Sequence, residues 1–157
     1  MAIDAGKKAP AFSLKNQDGE TVKLSDFKGQ YVVVYFYPRD NTPGCTVEAC
    51  SFRDEFDAIR TEGAVVLGVS TDDAASHRHF REQHGLPFPL LVDTDAEVAT
   101  AYGAWGEKTL YGRKSIGMTR STFVIGADGR LLKVWKRAKA ADHGVAVLKA
   151  LREARAR

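Results

Sequence analysis

The stretch YVVVYFYPRDNTPGCTVEAC, residues 31–50, decides the fold. Its first half is β-branched and aromatic without polar alternation, the pattern of a central strand covered on both faces. A Thr-Pro-Gly turn follows. Beyond it Phe52, Phe56 and Ile59 recur at three- and four-residue spacing until Gly63 closes the segment, which predicts a helix. Thr42 and Pro43 suit the cap and first position of that helix. The segment therefore reads as strand, turn and helix, with Cys45 in the first helical turn.

Working outward, Asp18-Gly19 between FSLK and TVKL marks a hairpin ahead of the strand. After the helix, AVVLGVS (64–70) is a second buried strand. DDAASHRHFREQHG (72–85) is a helix ending at Gly85, FPLLVD (88–93) a short strand and AEVATAYG (96–103) a short helix. AWGEKTLYGRKSIG (104–117) reads as a loop. RSTFVIGADGRLLKVWKR (120–137) is a strand, an Asp-Gly turn and a strand, and a last helix starts at about Asp142. Strands alternating with helices, then a hairpin and a helix, imply an α/β domain with a mixed sheet. At 157 residues the chain is expected to form one domain, 1–157. In such folds reactive residues gather where strands end and helices begin, and Cys45 lies at such a junction.

Composition narrows the function. An apolar share of 44% with 27% charged residues is that of a globular protein and excludes a disordered chain. Net charge is only +3, and the basic end KALREARAR carries no interleaved aromatics, so no nucleic-acid partner is expected. The longest apolar run, 31–37, falls far short of the ~20 residues of a membrane helix. The opening MAIDAGKKAPAF has no apolar core of a secretory signal, so a cytoplasmic location is expected. In that compartment two cysteines do not serve as a structural staple. Zinc would want three or four soft ligands. The histidines His77, His79, His84 and His143 are far along the chain, with His77 and His79 on different helix faces; all four read as surface or half-buried residues. No metal or other cofactor is expected.

The two thiols, Cys45 and Cys50, carry the chemistry. A free thiol, pKa ~8.5, is mostly protonated at neutral pH. Unpaired N–H groups and the dipole at a helix start favour the thiolate. An arginine would add to this without donating a proton; Arg39 and Arg120 are the candidates. Five residues along a regular helix separate two Cα atoms by roughly 8.6 Å and turn their side chains about 140° apart. A disulfide needs Cα atoms within about 7 Å. The pair can join only if the first helical turns unwind, and strain would keep such a bond reducible. The alternative is that Cys50 is a small buried hydrophobe that never reacts.

YPRDNTPGCTVEAC resembles the active-site stretch of the peroxiredoxins, in particular the bacterioferritin comigratory protein or peroxiredoxin Q group. The family pattern of Pro, three residues, Thr or Ser, two residues and Cys is met by Pro38, Thr42 and Cys45. Glu48 follows three places later, Cys50 five places later, and the distal arginine that opens a strand is Arg120. AYGAWGEK (101–108) also resembles this group, and the likeness runs over nearly the whole chain. The resemblance implies a thioredoxin-like fold with a mixed central sheet, flanking helices and an N-terminal hairpin. It implies reduction of H2O2 and organic hydroperoxides through a Cys45 sulfenic acid. Thr42, the Cys45 N–H and Arg120 would bind the peroxide oxygens, Pro38 would shield the thiolate, and Glu48 would hold the guanidinium. Cys50 would resolve the sulfenic acid into a disulfide, reduced by a thioredoxin-type dithiol. A monomer with no metal, flavin or haem is expected. Two rivals are a general thiol-disulfide oxidoreductase, which usually needs Cys-x-x-Cys, and a redox-tuned holdase.

Overall fold

A computed structural model describes residues 3–156. The hairpin β1 (Ser13–Lys15) and β2 (Thr21–Lys23) leads through a 3₁₀ turn into β3 (Tyr31–Phe36). Helices α1 (Pro43–Asp54) and α2 (Phe56–Thr61) follow, then β4 (Ala64–Ser70), α3 (Ala74–His84), β5 (Leu90–Val92) and α4 (Glu97–Ala101). The chain continues as β6 (Trp105–Leu110), β7 (Arg113–Met118), β8 (Ser121–Ile125), β9 (Leu131–Trp135) and α5 (His143–Arg155). Seven strands form one sheet in the order β2-β1-β5-β4-β3-β8-β9. The middle strands β3, β4 and β5 are parallel, while β8 is antiparallel to β3 and β1 to β5.

The unbroken apolar run of β3 has a direct cause: both faces of the sheet are covered. Val33, Tyr35 and Tyr37 point to one side, against Ala49 and Phe52 of α1, Ile59 of α2, Phe80 of α3 and Val147 and Leu151 of α5. Val32, Val34 and Phe36 point to the other, against Ala99 and Tyr102 at α4 and the N-terminal Ala9 and Phe12. Alternation is lost because each successive side chain is buried.

Two expectations change. The helix predicted over 43–63 is broken at Glu55, which leaves helical geometry at φ −101°, ψ 6°. A straight helix over 43–61 would be about 28 Å long, whereas the six-residue strand it must recross spans about 20 Å; the break lets the chain turn back into β4. The segment read as a loop, 104–117, is the hairpin β6–β7, paired from Trp105 opposite Met118 to Leu110 opposite Arg113. Its turn places Tyr111 and Gly112 at φ 52° and 76°, the left-handed pair of a tight hairpin. Residues 111–116 are exposed, so neither face imposes the apolar alternation by which a strand is read.

Candidate active site

Strand register assembles the site. Phe36 lies opposite Ser121, so Arg120, one residue earlier, arrives at the end of β3 where α1 begins. Pro43 occupies the first helical position, where a missing N–H costs nothing. The first helical bond runs from Thr46 N to Thr42 O, 2.9 Å. Cys45 therefore lies in the first turn, where amides have no intrahelical acceptor. Its side chain is 1% exposed, Cys50 on the same unbroken helix is half-buried, and both are free thiols.

Arg120 bridges the thiol and a buried acid. Nη2 donates to Cys45 Sγ at 3.4 Å and Nη1 to Glu48 Oε1 at 2.8 Å. A β-carbon at position 44 would stand 3.0 Å from Nη2, so Gly44 leaves room for the guanidinium. Glu48 has no exposed surface, and burial pushes its carboxyl up to about 8, against the pull of Arg120. Burial draws Arg120 down, but Glu48 and Cys45 outweigh this and its net shift is upward, so it remains a cation. Glu48 Oε2 and the Tyr35 hydroxyl beneath the helix are buried without a hydrogen-bond partner among the described residues. This matches the cost of keeping that carboxylate charged.

The other predicted site residues are placed less centrally. Thr42 holds the cap position by its backbone, but its hydroxyl makes no cap; it donates to Arg39 O at 3.0 Å. Pro38 and Arg39 are exposed beyond the end of β3. Arg39 takes part here through its carbonyl, while Arg120 supplies the guanidinium at the sulfur.

Sequence reasoning passes over a polar lattice behind this turn. His77, expected at the surface or half-buried, is fully buried: Nδ1 lies 2.7 Å from Asp40 Oδ2 and Nε2 2.8 Å from Leu91 O. Asp40 also accepts from Tyr37 Oη (2.6 Å) and Ser76 Oγ (2.8 Å), and its N–H donates to Asp72. The loop between β3 and α1 is thus pinned to α3. Asp40, Asp72 and His77 lie close enough to hold a cation, but their ligating atoms are already engaged in these bonds, and the group serves as a brace. An acid in a turn and a histidine in an amphipathic helix give no local sign of meeting. A cavity of about 470 Å³, lined by Leu24, Phe27, Val32 and Ile125, opens at the opposite end of β3 from Cys45.

His143 also proves buried, at 3% exposed. Its Nε2 lies 2.8 Å from Thr122 Oγ1, and its ring meets Phe52 and Trp135 edge-on. Burial, and secondarily the positive Arg120, lowers its pKa to about 4. The unfolded chain binds that proton near pH 6.5. The contribution to stability is therefore complete above about pH 6.5 and is lost as pH falls toward 4, by about 3 kcal/mol from this residue. His143→Gln is expected to flatten the acid limb of urea midpoints measured from pH 7 to 4. An unaltered slope would show that His143 is not the group.

Three comparisons bear on this geometry. The AhpC/TSA family model matches residues 5–134. Peroxiredoxin Bcp of Bacillus subtilis is 48% identical over 153 residues, covering 98% of each chain. Peroxiredoxin Bcp of Escherichia coli K12 is 46% identical over 151 residues, 96% of this chain and 97% of that one. A solved structure of the Xanthomonas campestris bacterioferritin comigratory protein, studied for its alkyl peroxide reduction, superposes with a TM-score of 0.89 at 37% identity. It covers 98% of this chain and 100% of that one.

Proposed function

Because this chain belongs to the AhpC/TSA family and, within it, to the peroxiredoxins, we propose that it is a thiol-dependent peroxidase of thioredoxin-like fold whose nucleophile is Cys45. The observation that carries this reading is Arg120, with one nitrogen on Cys45 Sγ and the other on buried Glu48. A cation so held faces both the attacking sulfur and the oxygen that departs.

The Cys45 thiolate attacks the terminal oxygen of H2O2 or an organic hydroperoxide. An S–O bond forms, the O–O bond breaks, and the leaving alkoxide or hydroxide takes up a proton to depart as alcohol or water. Arg120 and the Cys45 N–H stabilise the charge that develops on oxygen. The Thr42 hydroxyl has its hydrogen committed to Arg39 O, so its oxygen is left to accept from the peroxide O–H. Pro38 forms the rim that keeps water from the sulfur. Cys50 then attacks the Cys45 sulfur: an S–S bond forms, the S–O bond breaks, and the hydroxide leaves as water. A thioredoxin-type dithiol returns both thiols by two exchanges. The whole chain acts in the cytoplasm as one domain and as a monomer; no described helix is long and apolar enough to cross a membrane.

Intact mass after one equivalent of peroxide tests the assignment. The wild type is expected to lose about 2 Da as an intramolecular disulfide, and Cys50→Ser to stall about 16 Da heavier, as a sulfenic acid that dimedone traps. A Cys50→Ser protein that still cycles with a dithiol reductant at the wild-type rate would remove Cys50 from the mechanism.

A further inference from the structure

The Cys50 end of α1 is tied to the last helix of the chain. Helix α5 starts without a side-chain cap of its own: Asp142 precedes it at φ 57°, ψ 21° and makes no capping bond. The amide of Gly144, in the first turn, donates instead to Ser51 Oγ at 2.6 Å. Ser51 is the residue after Cys50. A β-carbon on Gly144 would collide with Ser51 O and stand 2.8 Å from Ser51 C. The two helices therefore touch backbone to backbone here, and glycine is the residue that permits it. The next residues strengthen the joint. Phe52 is fully buried, stacked on Tyr35 at 4.6 Å, with the His143 ring edge-on at 5.6 Å.

Cys50 is flanked by Ala49, which has no exposed surface, and by this joint. Regular helical geometry keeps it from Cys45, so the sulfurs meet only if the helix gives way between the two cysteines, a stretch that ends at this joint. We propose that Ser51 is a positioning residue for the resolving step: its hydroxyl caps α5 from outside and latches the Cys50 end of α1. Disulfide formation opens that bond, and reduction lets it re-form. The inference rests on the reading of Cys50 as the resolving thiol. The chemical step itself needs no further reagent, since the disulfide forms as hydroxide leaves the sulfenic acid. Because one bond serves two helices, the redox state of the cysteines is coupled to the start of α5, and the coupling is reciprocal.

The test follows wild type and Ser51→Ala through one equivalent of peroxide, timing sulfenic acid and disulfide separately. Hydrogen exchange across residues 143–148 is measured in reduced and oxidised protein. Ser51→Ala is expected to oxidise at Cys45 at the wild-type rate and to form the disulfide roughly 2 to 10 times faster, the span of a net hydrogen bond. It accumulates less sulfinic acid at excess peroxide. In the wild type, oxidation is expected to speed exchange across 143–148, and reduced Ser51→Ala already shows the faster exchange. A disulfide that forms no faster in Ser51→Ala overturns the latch, as does wild-type exchange that ignores oxidation; the latter decides the matter even if Ser51→Ala fails to fold. Wild-type protein that makes no disulfide at all would instead fell the Cys50 reading, a separate result.

Discussion

Cys45→Ser is expected to abolish peroxide consumption, lowering the rate by more than about a thousandfold, or about 4 kcal/mol of barrier. A serine hydroxyl at this place is un-ionised at neutral pH, and its oxygen cannot be carried to the equivalent of a sulfenic acid. The fold tolerates the change. The side chain is 1% exposed beside Ala49 and Phe52, and a hydroxyl there can accept from Arg120 as the sulfur does, so the cost is about 1 kcal/mol. The measurement is NADPH oxidation coupled through thioredoxin reductase and thioredoxin, with a thermal melt of each protein. A folded Cys45→Ser that consumes peroxide at the wild-type rate would reduce the Thr-Pro-Gly-Cys turn to architecture.

Arg120→Met is expected to lower kcat/KM for peroxide by roughly 10² to 10³, the loss seen when a preorganised donor to a developing oxyanion is removed. The same variant deprives buried Glu48 of its partner. That carboxyl is already pushed up to about 8 by burial, with Arg120 opposing the shift; without the guanidinium it moves higher. A group whose folded pKa is raised contributes stability at low pH and loses it as pH rises through the folded value. Arg120→Met should thus be nearly as stable as wild type near pH 6 and fall behind progressively above pH 8. Adding Glu48→Gln should restore the stability and leave the rate low. Recovery of both together would mean that Arg120 acts on the fold alone. Gly44→Ala reaches the same guanidinium from the helix side, since its β-carbon would stand 3.0 Å from Nη2. A smaller fall in kcat/KM, about tenfold, is expected from the displaced charge.

The two halves of the site differ in how openly the chain displays them. Cys45 and Cys50 are local features: a turn, a proline and a helix start fix one thiol in a first turn, and helical geometry then keeps the other away. Glu48 is three residues from Cys45 and shares its buried face. Arg120 is 75 residues away from Cys45, and its role is visible in the sequence through family resemblance, while the β3–β8 register puts it there. Asp40 and His77, 37 residues apart, and Ser51 and Gly144, 93 apart, carry no local sign of meeting.

The sequence alone determined the order of the strands and helices of the main sheet, save the break between α1 and α2, together with the buried character of β3 and the seating of a thiol at a helix start with a second thiol out of reach. These follow from periodicity, turn chemistry and the pitch of one helix, which act over a few residues. It misread the β6–β7 hairpin as a loop, because the half of the hairpin around its turn, residues 111–116, is exposed and needs no apolar alternation. Between Arg39 and Arg120, which residue chemistry left open and family resemblance resolved toward Arg120, the tertiary structure places Arg120 at Cys45, and it alone decided that His77 and His143 are interior groups and that α5 is capped from α1. Each of these depends on strand register and helix docking. There the energy comes from burying side chains against partners that no short window of sequence contains.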